Sequence, residues 1–342
     1  MKLLNTLFIT TQGAYLHKEG ETVAVKVEGK EQARFPIHNL NGIVCLGNVT
    51  CSPFLMGFCA ENQVGLCFLT QHGRFLARVS GGVNGNVLLR RQQYRLADSD
   101  EGCASFARMF VAAKIANARV ILLRAAREHD NQGARQGLAM ASNELSNFQR
   151  SLKGMAEVDS IRGIEGSAAV CYFDVFNHLI LKQKEDFEMR GRNRRPPLDK
   201  VNALLSFMYT LLAHEVESAL ETVGLDPCVG FLHKDRPGRK SLALDLMEEF
   251  RPFFADRLVL TLINRQQIQG KDFEDHGQGA VYLKDDPRRE VLKAWQNRKQ
   301  EEIEHPFLGE KMPLGLLPFV QARLLARVIR GEMEAYPPFL WR

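Results

Sequence analysis

Along the first eighty residues, apolar and polar positions alternate in short runs. In ETVAVKVEG, Val23, Val25 and Val27 share one face, the period of a half-buried strand. GNVTCSP and QHGRF place turn-forming residues between such runs. FLMGFCAEN (54–62) predicts one short helix. SGGVNGNV (80–87), rich in glycine and asparagine, marks a boundary. Beyond it the period lengthens. CASFARMFVAAKIANARVILLRAARE (103–128) sets Phe106, Phe110, Ile115, Val120, Ile121 and Leu122 at near-helical spacing, with Arg108, Lys114, Arg119, Arg124 and Arg127 interleaved. NALLSFMYTLLAHEVESAL (202–220) predicts a second long amphipathic helix. The pattern predicts an α+β chain: a small N-terminal β domain over 1–85, then a larger all-α domain over 86–342.

Composition narrows the class without naming a chemistry. The chain has 342 residues, room for two cores. Hydrophobic residues make up 45% and charged residues 25%, the balance of a soluble globular protein. A net charge of only +5 means that any affinity for nucleic acid has to come from clustered cations. The seven cysteines form no C-x-x-C pair, which argues against a zinc ribbon or a redox motif and for reduced, buried thiols in a cytoplasmic protein. MKLLNTLFITTQG breaks into polar residues too early for a signal peptide, and no run approaches the ~18–20 apolar residues of a membrane span. The apolar, proline-bearing end AYPPFLWR (335–342) is expected to fold back on its own domain rather than dock on a partner.

The stretch FLHKDRPGRKSLALDLMEEFRP (231–252) carries the most chemistry. His233 precedes a loop holding Lys234, Arg236, Arg239 and Lys240. A helix is predicted from Ser241 as N-cap to Pro252 as terminator. Leu242, Ala243, Leu246, Met247 and Phe250 occupy one arc; Asp245, Glu248 and Glu249 fall on the other. Asp245 and Glu248 are i,i+3 neighbours, about 5–6 Å apart at Cβ. An acidic arc alone is a solvated face or a metal site. The basic loop leading into it favours phosphodiester chemistry: carboxylates and an imidazole hold a divalent cation, and the loop draws in a polyanion. Glu165, between two glycines in IRGIEGSAAVCYF, reads either as a favourable carboxylate near a helix start or as a ligand on a tight turn. MRGRNRRPPLDK sets Arg190, Arg192, Arg194 and Arg195 in either a solvated linker or a phosphate-gripping loop.

Together with LVLTLINR and GAVYLKDDPRREVLKAW, these motifs span about 160–295 and closely resemble the CRISPR-associated adaptation endonuclease family, in wording nearest its type I-C branch. The resemblance implies an N-terminal β domain and an all-helical C-terminal domain. It implies an integrase that inserts spacer DNA into a CRISPR array by attack of a DNA 3′-hydroxyl on a phosphodiester at the repeat edge. It makes Glu165, His233 and Glu248 ligands of Mg²⁺ or Mn²⁺, with Asp245 a weak ligand or the partner that orients the imidazole. Arg190, Arg192, Arg194, Arg195, Arg236, Arg239 and Lys240 would grip DNA backbone. Partners implied are DNA, a second copy of the chain and a small companion adaptation protein of ferredoxin-like fold. Two rivals stay open on the residues alone: a repair nuclease that cuts without joining, and a non-catalytic nucleic-acid-binding protein.

Overall fold

The structure is a computed structural model and describes residues 5–40, 42–71, 75–79, 81, 86–193, 196–277 and 279–341. The N-terminal part comprises β1 (Thr6–Ile9), β2 (Tyr15–Glu19), β3 (Thr22–Val27), β4 (Lys30–Pro36), β5 (Gly42–Leu46), β6 (Thr50–Cys51), α1 (Pro53–Glu61), β7 (Gly65–Leu69) and β8 (Phe75–Val79). One sheet has the order β4-β3-β2-β6 and the other β1-β5-β7-β8. In the second, β1, β5 and β7 run parallel and β8 closes it antiparallel. The short helix expected over 54–62 is α1, N-capped by Ser52, whose hydroxyl accepts from the Leu55 N–H at 3.2 Å.

The second sheet is a wall between two cores. Ile43 and Cys45 of β5 and Leu66 of β7 belong to the N-terminal core, while Val44, Leu46, Cys67 and Leu69 belong to the core of the helices. Alternate side chains thus enter opposite cores, and both faces of the sheet are covered. The boundary expected at 80–87 lies largely outside the described residues.

The rest of the chain is mostly helical: α2 (Val87–Ala97), α3 (Asp100–Glu128), α4 (Gln132–Ser151), α5 (Val158–Asp174), α6 (Lys200–Val223), α7 (Ser241–Met247), a π-helical turn (Arg251–Asp256), α8 (Arg257–Asn264), α9 (Asp285–Gln300) and α10 (Leu317–Ile329). It is not all-α. Two hairpins interrupt it, β9 (Phe273–Asp275) with β10 (Val281–Leu283) and β11 (Glu302–Glu304) with β12 (Lys311–Pro313). The long α3 starts with the Ser99 hydroxyl accepting from Gly102 N–H at 3.2 Å. Asp199 caps α6 in the same way, and Gly224 ends it at φ 87°, a conformation that favours glycine. Among the described residues no helix is long and apolar enough to cross a membrane.

Buried charge stitches the sheet to the helices. Arg78 of β8 lies 3.3 Å from Glu217 and 2.6 Å from Glu221, both on α6, and Lys240 approaches Glu217 at 3.2 Å. Burial works to raise the pKa of Glu217, but His214, Arg78 and Lys240 outweigh it and hold the carboxyl at about 2. Lys299 of α9, fully buried, bridges Glu215 at 2.5 Å and the Thr6 hydroxyl at 3.1 Å.

Glu217→Ala leaves a buried guanidinium short of counter-charge and is expected to cost about 3 kcal/mol, read from the denaturant midpoint at neutral pH. Because the folded-state pKa is depressed, this contribution is complete above about 4.5 and fades as pH falls toward about 2. A gap between wild type and variant that failed to close over that window would show that the carboxylate charge is not what stabilises the seam.

Candidate functional site

Glu165 stands in the middle of α5, not on a tight turn at its start; Asp159 is the acid of the first turn. The reason is local. Gly163 and Gly166 are ordinary helical residues facing open space, so the helix runs through them. From mid-helix the Glu165 carboxylate pairs with Lys114 of α3, and the same ammonium lies 2.7 Å from Glu248 Oε2. Glu248 caps the C-terminus of α7 and is 2% exposed. Its Oε1 meets Arg251 at 3.1 Å. Burial alone would push its pKa up; Arg251, Lys114 and His233 outweigh burial and hold the carboxyl at about 2. Burial likewise opposes the charge on Lys114, and Glu248 and Glu165 more than offset it, raising its pKa.

His233 is held from behind. Its Nδ1 is 2.7 Å from Asp245 Oδ1. The same carboxylate accepts the backbone N–H groups of Phe231 at 2.6 Å, Leu232 at 2.9 Å and His233 at 2.9 Å. Asp245 is fully buried and committed to this loop, so it orients the imidazole and leaves Nε2 for other work. Gly230 makes room for it: a Cβ there would stand 2.6 Å from Asp245 Oδ2.

Glu249 points elsewhere. It accepts from Tyr336 Oη at 2.6 Å, Gln321 Nε2 at 2.9 Å and the Phe339 N–H at 2.9 Å. Burial pushes its pKa up to about 7 against the pull of those hydrogen bonds. The three acids predicted on one arc of the helix are all buried and face three directions. The helix geometry behind that expectation does not persist. α7 begins at Ser241 with Lys240 in the cap position and ends at Met247, and a short turn leads into the π-helical turn that contains Pro252, so the proline sits inside a helical segment rather than ending one.

The predicted cations divide. Arg192 turns inward, its guanidinium 2.6 Å from Asn202 Oδ1 and over the rings of Tyr209 and Phe173. Arg190 and Arg236 are exposed. Arg239 is half-buried and donates to the Lys234 carbonyl at 3.2 Å. Lys240 is engaged with Glu217, away from the imidazole's partner. Arg194 and Arg195 lie outside the described residues.

Sequence reading missed four neighbours: Lys114, Arg251, Tyr209 and Asp256. Tyr209 donates to Asp256 Oδ1 at 2.7 Å, and Arg251 lies 4.8 Å from the Tyr209 ring centre. Burial pushes the Asp256 carboxyl up to about 7, against Tyr209, Arg192 and Arg251, which lower it. A signal for Lys114 existed. Phe110, Lys114, Asn117 and Ile121 are spaced 4, 3 and 4 apart, which places the lysine on the apolar stripe of α3. Among the described residues no three His, Cys, Asp or Glu side chains stand together as a ready-made cation cage; an ammonium lies between the two carboxylates instead.

Comparison with known proteins places this arrangement in context. The family model described as "CRISPR associated protein Cas1" matches residues 7–297. The chain is 57% identical over 341 residues to "CRISPR-associated endonuclease Cas1 1" of Chlorobaculum tepidum, covering 100% of this chain and 99% of that one. A chain of a "Cas6-RT-Cas1--Cas2 complex" superposes with a TM-score of 0.83 at 24% identity, over 98% of this chain and 36% of that one. A "Casposase bound to integration product" gives 0.82 at 23% identity, over 96% and 91%.

Asp245→Ala would strand three buried backbone N–H groups and is expected to destabilise the protein by at least about 3 kcal/mol in chemical denaturation. Asp245→Asn, which keeps one acceptor oxygen, should cost visibly less. Equal losses for the two variants would contradict the role assigned to the carboxylate as organiser of the 231–233 loop.

Proposed function

The chain belongs to the Cas1 family of CRISPR-associated proteins, and on that footing we propose that it is a metal-dependent DNA endonuclease and integrase of CRISPR adaptation. The observation that carries the reading is the meeting of Glu165 and Glu248 on one cation, beside an imidazole that is clamped at Nδ1. Distant parts of the chain converge there, in a cationic setting suited to a polyanion.

The donor types suit a divalent ion, which would take the place of the Lys114 ammonium between the two carboxylates. Glu248 Oε2 is buried and has no well-formed hydrogen bond, only the ammonium at 2.7 Å, so this oxygen is built to face positive charge. Glu165, Glu248 and the Nε2 of His233 would hold Mg²⁺ or Mn²⁺, an oxygen-rich set with one nitrogen that suits Mn²⁺ as well as Mg²⁺. When bound, the ion would supply Lewis-acid stabilisation of a phosphodiester under attack by water or a DNA 3′-hydroxyl. The chain's own residues do the rest. Asp245 fixes the ring orientation of His233. Arg251 keeps Glu248 ionised and aimed. Lys114, tethered to both acids, is placed to shift from carboxylate to phosphate. The exposed Arg190 and Arg236 supply backbone contacts that carry no base information, while Arg192 braces the site from inside against Asn202 and Tyr209.

The likeness to a chain of the Cas6-RT-Cas1--Cas2 complex supports a companion protein as partner, and the likeness to a casposase bound to its integration product supports DNA as substrate. A second copy of the chain and the type I-C assignment belong to the same proposal.

The test is a supercoiled plasmid carrying a repeat, a short duplex with free 3′ ends, and Mn²⁺. Cutting and joining are expected from the wild type. Glu165→Ala and Glu248→Ala should each lose at least about a hundredfold in rate with DNA affinity retained. Cutting without joining would favour a repair nuclease, and full tolerance of both substitutions would favour a pure binder. Arg236→Ala should weaken binding on all sequences and lower the salt slope by roughly one.

A further inference from the structure

Glu248 and Glu249 are adjacent and chemically identical, yet one faces the candidate site and the other a buried polar pocket. Nothing in the two side chains decides which does which. On a helix, neighbouring residues point about 100° apart, so locking one sets the other. Regular helical bonding does not lock them here. The backbone N–H groups of Glu248, Glu249 and Phe250 reach back only three residues, at 3.2, 3.4 and 3.0 Å, just before the π-helical turn. Arg251 and Lys114 hold the Glu248 carboxylate, but the turn of backbone that carries it has to be fixed from outside.

We infer that the C-terminal segment around Tyr336–Trp341 is a positioning element of the catalytic centre, acting on Glu248 through Glu249; the inference rests on the reading of Glu248 as a metal ligand. Two devices serve it. Tyr336 Oη, Phe339 N–H and Gln321 of α10 hold both oxygens of the Glu249 carboxylate. Asn117 brackets the backbone: its Nδ2 donates to the carbonyls of Glu249 at 2.8 Å and Phe339 at 2.9 Å, and its Oδ1 accepts from the Trp341 N–H at 2.7 Å. Asn117 lies one turn beyond Lys114 on α3, so one helix face carries both the cation that meets Glu248 and the bracket that aims it. The tail is itself pinned, with Trp341 beneath the guanidinium groups of Arg124 at 4.2 Å and Arg257 at 4.5 Å from its ring centre. A tail meant only to fill a gap needs no buried carboxylate facing it. This one supplies two of the three donors to a carboxylate that adjoins a functional acid.

The experiment follows Mn²⁺ affinity by calorimetry, with kcat and KM for DNA cutting alongside, in the wild type, in Y336F and in a chain ending at residue 334. Y336F removes one hydroxyl and keeps the ring; it is expected to weaken Mn²⁺ binding about tenfold and to lower kcat with KM unchanged. The shortened chain should lose more, and a synthetic AYPPFLWR peptide added in trans should restore part of the loss. If the shortened chain does not fold, Y336F alone decides. A folded Y336F protein with wild-type Mn²⁺ affinity and kcat overturns the inference. A wild type that binds no Mn²⁺ instead sinks the metal reading itself, so the two failures are told apart.

Discussion

One ammonium between two carboxylates organises the candidate site of this molecule. Lys114 projects from the middle of the long α3 into a region where burial disfavours every charge, and it stays charged because Glu248 and Glu165 face it. Removing any one of the three leaves an uncompensated ion in a poorly hydrated site. α3, α5 and the turn after α7 meet in one apolar core, and that packing brings the ion pairs within reach. In the proposed mechanism a carboxylate held ionised by a tethered cation exchanges that cation for a mobile one with no proton to lose first.

A second layer of polar contacts gives that cluster its orientation. Asp245 binds a loop rather than a substrate, and by direct contact with Nδ1 it orients the ring of His233. Glu249 binds the tail. Arg251 connects Glu248 to Tyr209 and Asp256 across the π-helical turn. Each of these buried acids has a distinct set of partners, and the partners come from different elements, which is how a run of similar residues acquires different duties.

Much of this was legible in the chain and some was not, for identifiable reasons. Period-two alternation gave away β3, and near-helical spacing gave away α3 and α6, because in each case a single face is buried. The strand GIVCL escaped because its two faces are both covered and no alternation survives. Glu165, His233 and Glu248 were singled out as ligands through motif resemblance; helical spacing alone could not separate Glu248 from Glu249, since their different surroundings are set by Gln321, Tyr336 and Phe339, far downstream. Lys114 was grouped only with the arginines interleaved along α3; its place on the apolar stripe, ordinarily a mismatch, is what brings it to the two carboxylates. Pro252 read as a stop and is in fact housed inside the π-helical turn, where the altered hydrogen-bond pattern accommodates it.

The wall shared by the two cores carries a consequence for how chains of this kind can vary in length. Along β5, odd positions serve one interior and even positions the other, so deleting a single residue would trade the inventories of both at once. Such a strand can exchange one apolar residue for another of similar bulk, but it cannot grow or shrink by one. Insertions and deletions are therefore better tolerated in the connections around the sheet than within 42–46.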